Sequence, residues 1–173
     1  MLHGLIMDRP LLISSLLTHA ATVSADREMV SRSVEGPIHR TTYSALHTRA
    51  QQLANALAAL GVGRGDRIAT LAWNSWRHYE IYYAVSGSGA VTHTLNPRLH
   101  PSQLTYIMNH AEDRYVFVDL TFMPLIESVI ADLPALRGVV VMTDRAHMPD
   151  SSIPGLLCYE ELIDSQSADY EWP

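Results

Sequence analysis

Apolar residues recur along this chain at helical spacing in some stretches and as short continuous runs in others. The clearest helical period steps by four, three, four and three residues through Leu46, Ala50, Leu53, Leu57 and Leu60. Because this spacing places all five side chains on one face, it predicts an amphipathic helix. Thr42 is the expected N-cap of this helix, and Gly61 is expected just past its last turn.

The other elements are predicted from the same pattern. Helices are expected over residues 11–24, 75–86, 101–111 and 122–131. Strands are expected over residues 29–34, 38–43, 67–73, 90–95, 115–118 and 138–142. From residue 67 onward strands and helices alternate with short loops, which favours a parallel sheet flanked by helices on both sides. The predicted fold class is therefore α/β.

The end of the chain differs from the rest. Residues 144–173 are interrupted by prolines and a glycine, and only residues 159–164 have a helical pattern. This stretch holds seven acidic residues against Arg145 alone, which accounts for the whole formal charge of −6. We therefore predict an α/β unit over residues 1–143 and an acidic connecting segment over residues 144–173. Tyr170 and Trp172 need a surface to pack against.

Composition narrows the function classes. The 173 residues are 47% hydrophobic and 17% charged, which suits one domain with a proper core. The negative charge argues against a nucleic-acid partner. All 12 basic residues are arginine, so mechanisms that need a lysine within this chain are excluded. The single cysteine, Cys158, favours a reducing cytoplasm, and the longest uncharged run, residues 10–25, is too short and polar to span a membrane.

Two glycine-rich segments suggest phosphate loops at first sight. Residues 61–65 (Gly-Val-Gly-Arg-Gly) and 87–89 (Gly-Ser-Gly) each follow a predicted helix and lead into a predicted strand. A phosphate loop has the opposite order, because the phosphate needs the free N–H groups that begin a helix. Both segments are therefore predicted to be turns.

The nine histidines do not form a metal-binding pattern. His93, His100 and His110 flank one loop and its helix, but none of the nine has the i, i+4 spacing of a helical metal site. Residues 87–90 also lack the strained serine turn that Ser-His-Asp catalysis requires. The pattern therefore assigns no catalytic, cofactor-binding or metal-ligating residue.

Two loops are candidates for ligand binding because of their place in the sheet. Residues 74–78 and 94–98 follow predicted parallel strands, and ligands of open α/β sheets bind at that edge. Arg77 and Arg98 are candidates to bind an anionic group there. The structural alternative, which we favour, is that Asn74 caps a helix and Pro97 shapes a turn.

Several segments, in order, resemble one enzyme family. Residues 41–46 (Thr-Thr-Tyr-Ser-Ala-Leu) resemble the first core motif of the adenylate-forming enzymes, and residues 57–69 resemble the helix, turn and strand that follow it. Residues 83–91 together with residues 95–99 (Leu-Asn-Pro-Arg-Leu) resemble the second core motif. Residues 93–99 and 109–114 are similar in particular to medium- and long-chain fatty-acyl-CoA ligases and related methylthiopropionate-CoA ligases.

This resemblance implies an activity for a larger parent enzyme. Such enzymes activate a carboxylic acid with ATP and magnesium to an acyl-adenylate and then transfer the acyl group to coenzyme A. The chain resembles their N-terminal subdomain, which is mostly scaffold and often contributes to dimer contacts. A homodimer that acts on a fatty acid is therefore expected.

Two departures from the family pattern matter. The family usually has Glu where Ala45 stands, so the capping box at this helix start is incomplete. The Ser/Thr/Gly-rich phosphate loop that ends in Pro-Lys-Gly is absent, so these 173 residues are expected to be inactive alone. The alternative is a stand-alone, non-catalytic α/β binding or dimerisation module. A compact tail around Trp172 would favour the module, and a protease-sensitive tail would favour a fragment.

Overall fold

The structure is a computed structural model that describes Gly4 and residues 7–173. Within these residues the α-helices are α1 (Ile13–Val23), α2 (Tyr43–Ala59), α3 (Trp76–Gly87), α4 (Pro101–Ala111), α5 (Met123–Val129) and α6 (Tyr159–Asp164). The strands are β1 (Glu28–Arg32), β2 (Ile38–Thr42), β3 (Arg67–Leu71), β4 (Val91–Thr94), β5 (Tyr115–Val118), β6 (Gly138–Val141) and β7 (Leu157–Cys158).

The centre of the fold is a five-stranded parallel sheet. Its strands lie in the order β4-β3-β5-β6-β7, and β3 pairs with both β4 and β5. Strands β1 and β2 form a separate antiparallel hairpin, whose turn contains Gly36 at a φ of 119°. The predicted α/β class, with a parallel sheet flanked by helices, is confirmed.

Alternate side chains of the strands supply two cores, one on each face of the sheet. On one face Ile68 and Phe117 pack with residues of α2, α3 and α6. On the other face Val116 and Val118 pack with residues of α4 and α5. All four residues of β5 are buried, as its continuous apolar run predicts.

Side-chain caps account for where three helices begin. Thr42 Oγ1 accepts a hydrogen bond from the Ala45 N–H at 3.3 Å, which confirms Thr42 as the N-cap of α2. Helix α4 begins with a reciprocal capping box between His100 and Gln103. The N-cap of α3 is Ser75, whose Oγ accepts from the backbone of the third helical residue, so the expectation that Asn74 caps this helix is wrong.

The sequence pattern missed β7 and overextended α5. Strand β7 has only two residues, too few to produce a period, and its pairing with β6 arises from tertiary contact. The predicted helix over 122–131 is an α-helix only over Met123–Val129, with one turn of 3-10 helix on each side. The helical segment predicted over 159–164 is confirmed as α6.

The last residues of the chain lie along α2. Amide groups of three α2 side chains, Gln51, Gln52 and Asn55, donate hydrogen bonds of 2.8–3.2 Å to main-chain oxygens of residues 166–170. Because one helix face binds successive carbonyl oxygens, the segment is held over several residues.

Trp172 completes this attachment. Its indole packs against α3, and a Cβ added to Gly87 would lie 2.6 Å from two of its ring atoms. The Trp172 ring also meets His47 edge to face, with ring centroids 6.4 Å apart. A side chain at position 87 would therefore force the Trp172 ring to shift.

Candidate functional site

The carboxyl ends of the parallel strands meet at one edge of the sheet, where open α/β folds bind their ligands. Strand β3 ends at Leu71, and Ser75 caps the helix that follows. The β1–β2 hairpin lies beside this edge, because Ser31 Oγ accepts a hydrogen bond from the Trp76 N–H at 3.3 Å.

A cavity of about 310 Å³ opens between the hairpin and α3. It is lined by Met29, Val30, Ser31, Asn74, Ser75, His78, Tyr79 and Tyr82. Apolar and aromatic walls with a few polar groups are typical of a small-molecule site.

His78 lines this cavity, and both of its ring nitrogens have hydrogen-bond partners. Its Nδ1 lies 3.1 Å from the Trp73 carbonyl oxygen, and its Nε2 lies 3.1 Å from Thr70 Oγ1. The carbonyl can only accept, so we assign the proton to Nδ1, and Thr70 then donates to Nε2. Burial lowers the pKa of His78, which keeps the ring neutral. With both ring nitrogens occupied, His78 positions α3 against the end of β3.

Asp119 is a buried carboxyl group at the end of β5. Its Oδ2 accepts a hydrogen bond from the Trp73 N–H at 2.6 Å, and the rings of Trp73 and Phe122 lie 5.0 Å apart beside it. Burial raises the pKa of Asp119 to about 6, although the Trp73 N–H and the charge of Arg77 oppose this shift. Asp119 is therefore a buried carboxyl group with a raised pKa at the edge where open α/β folds bind their ligands.

The hydrogen bonds of the Arg77 guanidinium go to groups of the chain itself. Its Nη1 donates to Glu35 Oε1 at 2.8 Å and to the Met142 carbonyl oxygen at 2.9 Å, and its Nε donates to Glu160 Oε1 at 2.7 Å. The guanidinium also lies 4.3 Å from the centroid of the Trp76 ring. The anionic partners expected for Arg77 are carboxylates of the chain itself.

A second arginine, the half-buried Arg49, extends this network into α2. Arg49 donates from Nε to Glu80 Oε1 at 2.7 Å and from Nη2 to Glu160 Oε1 at 3.2 Å. Tyr159 donates its hydroxyl proton to Glu80 Oε2 at 2.7 Å. Burial opposes the charge of Arg49, but the interactions with Glu80, Tyr159 and Glu160 together outweigh it and raise the Arg49 pKa. The network joins segments far apart in the chain.

The second predicted loop is a turn. Asn96 Oδ1 accepts a hydrogen bond from the Arg98 N–H at 3.0 Å, and the Arg98 side chain is exposed. This agrees with the structural alternative for residues 94–98.

The glycine-rich segments are turns in which the N–H groups of Gly61, Gly63, Gly65 and Gly89 are already bonded. Gly63 N donates to Asp66 Oδ2 at 2.9 Å, and Gly65 N donates to the Gly89 carbonyl oxygen at 2.9 Å. Gly61, Gly65 and Gly89 have φ between 76° and 83°, which suits glycine. Neither segment offers the free N–H groups that a nucleotide phosphate needs.

The three histidines considered together have separate partners. His93 Nδ1 lies 2.9 Å from the Asp113 carboxylate, His100 caps α4, and His110 stacks on Tyr106. Over residue 4 and residues 7–173, no group of three or more His, Cys, Asp or Glu side chains is placed to hold a metal ion. The described helices also include none long and apolar enough to cross a membrane.

Comparison with known proteins decides the family. Residues 17–159 match the family model described as AMP-binding enzyme. The chain belongs to the AMP-binding enzyme family. One similar protein is the 3-methylmercaptopropionyl-CoA ligase of Ruegeria lacuscaerulensis, which is 47% identical over 98% of this chain. The medium-chain-fatty-acid–CoA ligase of Ectopseudomonas oleovorans is 44% identical over the same share. The chain spans about a third of the length of these curated relatives, 32% and 31% respectively.

Solved structures of AMP-binding enzymes share the fold. The anthranilate CoA ligase AuaEII, solved with anthranoyl-AMP, superposes with a TM-score of 0.80 at 25% identity, over 96% of this chain and 30% of that one. A benzoate CoA ligase from Burkholderia xenovorans superposes with a TM-score of 0.71 at 23% identity, over 91% of this chain and 29% of that one. The predicted family resemblance is confirmed.

Sequence reasoning missed the ionisable groups of this edge. Asp119 directly follows the apolar run of β5, and a carboxylate at the end of a buried strand is a signal that was available. Glu35, Glu80 and Glu160 gave no such signal, because their partners lie between 31 and 111 residues away in the sequence.

Proposed function

We propose that this chain is the N-terminal part of an acyl-CoA ligase. The whole enzyme activates a carboxylic acid with ATP to an acyl-adenylate and diphosphate, and then transfers the acyl group to coenzyme A. The observation that carries the proposal is the AMP-binding match over residues 17–159, together with CoA ligases at 44–47% identity across 98% of the chain.

The acid that we propose is a fatty acid or a short thioether acid of similar shape. The support is the printed activities of the relatives, which are a 3-methylmercaptopropionyl-CoA, a medium-chain and a long-chain fatty-acid ligase. The long-chain enzyme of Thermus thermophilus is 44% identical over 93% of this chain.

The described residues do not fit the phosphates of ATP or its magnesium ion. The chain has no lysine, and the N–H groups of Gly63 and Gly65 are already bonded within the protein. We therefore assign the binding of ATP, magnesium and coenzyme A to the remainder of the ligase. The role of these 173 residues is to support that remainder, and we expect them to be inactive alone.

The exchange of radiolabelled diphosphate into ATP tests this division of labour. The 173-residue protein is assayed with octanoate, palmitate and 3-methylmercaptopropionate, with an intact acyl-CoA ligase as positive control. No exchange is expected. Exchange that depends on one of these acids would overturn the claim that the chain is inactive alone.

The coding DNA after codon 173 provides a second test. A reading frame that continues into a Ser/Thr/Gly-rich segment ending in Pro-Lys-Gly supports the ligase assignment. A stop codon there favours the non-catalytic module. The packed Trp172 is the feature expected of the module, whereas the coverage of only 31–32% of the curated relatives favours a fragment, so the reading frame decides between them.

We also propose that the parent is a cytoplasmic homodimer. Cys158 is a buried free thiol, which agrees with a reducing compartment. The exposed face of α1 carries Leu12, Ile13 and Leu16, and an apolar surface of this kind promotes self-association. Sedimentation velocity should detect dimers of the chain, and a clean monomer at micromolar concentration would contradict the homodimer.

A further inference from the structure

Three arginines lie side by side at the edge of the sheet opposite the candidate site. Arg67 begins β3, Arg114 directly precedes β5, and Arg137 directly precedes β6. They are in register, because the Arg114 N–H donates to the Arg67 carbonyl oxygen at 2.9 Å and the Arg137 N–H donates to the Arg114 carbonyl oxygen at 2.7 Å. Adjacent strands are about 4.8 Å apart, so the three backbones span roughly 10 Å. We call these residues the arginine ladder.

The three guanidinium groups differ in how much of their donor capacity is used. Arg67 closes the end of α4, since it donates to the carbonyl oxygens of Ala111 and Glu112 and to Glu112 Oε2 at 2.9 Å. Arg114 makes one loose contact, Nε to Asp66 Oδ1 at 3.4 Å. Within the described part of the chain, Arg137 has no ion pair and its side chain is exposed.

The ladder has a net positive charge and a cleft beside it. Asp66 and Glu112 supply two negative charges beside the three arginines, and Asp66 Oδ2 already accepts a hydrogen bond from the Gly63 N–H. The cleft has a volume of about 310 Å³ and is lined by these five residues and Ala135. A water molecule takes up about 30 Å³, so the cleft has room for a hydrated oxyanion. Glu112 is largely exposed, and its ion pair with Arg67 lies at the surface.

Like charges in neighbouring positions of a sheet repel, so an uncompensated ladder carries an energetic cost. A multivalent oxyanion that accepts hydrogen bonds from two guanidinium groups removes this cost, and phosphate matches the planar donor pairs of arginine. We propose that Arg114 and Arg137 form a binding site for a phosphate group, supplied either as a small soluble phosphate or as a lipid headgroup. This proposal does not rest on the ligase assignment.

Titration of the 173-residue protein with inorganic phosphate tests the site. The readout is the arginine Nε–Hε signals in ¹H–¹⁵N NMR spectra, recorded in a buffer without phosphate and with chloride adjusted to constant ionic strength. The signals of Arg114 and Arg137 should shift and saturate at millimolar phosphate, while that of Arg98 stays in place.

The variant that breaks the site is Arg137→Gln, because this exposed side chain has no protein partner to lose. Its phosphate affinity should fall about tenfold or more, since two charge-assisted hydrogen bonds are removed. Arg98→Gln is the matched control, because it also removes an exposed charge, at the opposite edge of the sheet, and should leave the affinity unchanged. Glu112→Gln should strengthen phosphate binding by removing a repulsive charge.

Cosedimentation with vesicles separates the two sources of phosphate. Vesicles of phosphatidylcholine with and without phosphatidic acid are compared for the wild type and Arg137→Gln. Recruitment by phosphatidic acid that depends on Arg137 supports a lipid headgroup, and phosphate shifts without recruitment support a soluble ligand. The proposal is overturned if neither probe binds, or if Arg137→Gln and Arg98→Gln weaken binding equally.

Discussion

The two faces of the parallel sheet hold their helices in different ways. The face covered by α4 and α5 is apolar, and its core consists of side chains such as Leu104, Val118 and Ile126. The face covered by α2, α3 and α6 adds a largely buried network of two arginines and three glutamates to its apolar core.

This difference shows how the fold combines stability with specific positioning. Apolar burial stabilises a helix without choosing its neighbours, whereas an ion pair must meet one partner in one geometry. The network joins the β1–β2 hairpin to α2, α3 and α6 through Glu35, Arg49 and Glu160. These elements border the edge where ligands of such sheets bind.

The largest expected effect follows from removal of one charge of the network. Arg49→Met leaves Glu80 buried with no cation beside it, and loss of one partner of a buried pair costs about 3–5 kcal/mol of unfolding free energy. Because burial raises the pKa of Glu80, this cost should shrink as the solution is acidified and Glu80 takes up a proton. Urea unfolding between pH 4 and pH 8 measures both effects.

The matched double variant Arg49→Met/Glu80→Gln should recover most of the lost stability, since no unpaired charge remains buried and the amide oxygen keeps an acceptor for the Tyr159 hydroxyl. A double variant as unstable as Arg49→Met alone would mean that packing by the Arg49 stem, and not its charge, holds this face.

On the face covered by α4 and α5, the unfolding free energy should depend on the volume of the buried side chains and not on pH. Leu104→Ala removes a side chain that is 1% exposed and should cost about 2–4 kcal/mol. The loss should be constant between pH 4 and pH 8 in the same urea experiment, and Leu104→Met should cost less than about 1.5 kcal/mol. A loss of unfolding free energy in Leu104→Ala that varies with pH would contradict the conclusion that this face is held by apolar packing alone.

The next prediction concerns how closely residues 165–173 pack on the face covered by α2, α3 and α6. Gly87→Ala places a methyl group 2.6 Å from the Trp172 ring, which must shift at a cost of about 1–3 kcal/mol. Trp172 should become more exposed, with red-shifted fluorescence and faster proteolysis between residues 165 and 173. Gly63→Ala, where the nearest atom is 3.8 Å away, is the control for the added methyl group. Equal behaviour of the two variants would contradict the described packing.

The smallest effect concerns the pH dependence that Asp119 adds. In the folded protein the Asp119 pKa is raised to about 6 from its ordinary value of 3.8. The protonated carboxyl therefore contributes its full stabilisation below pH 4, and this contribution is lost as the pH rises through 6. Asp119→Asn keeps an oxygen for the Trp73 N–H but does not ionise. Between pH 4 and pH 7 the unfolding free energy of Asp119→Asn should rise relative to that of the wild type by on the order of 1–2 kcal/mol. Parallel pH profiles of the two proteins would contradict a buried, protonatable Asp119.

Local patterns predicted most of the fold, because the period and the caps of α2 and the apolar run of β5 are encoded by neighbouring residues. Strand β7 could not be predicted, since two residues carry no period and pair with β6 only in the folded protein. The network was also beyond sequence reasoning. Arg77 could be recognised as a charge at the ligand edge, but Glu35 and Glu160 lie 42 and 83 residues away from it in the chain.

The most direct test of the ligase assignment exchanges parts between relatives. This chain replaces the matching segment of the medium-chain-fatty-acid–CoA ligase of Ectopseudomonas oleovorans, which is 44% identical over it. The account predicts that the folded chimera restores octanoate-dependent diphosphate exchange, while these 173 residues alone show none. A chimera that folds as the parent does but lacks exchange, beside an active parent, would contradict the account.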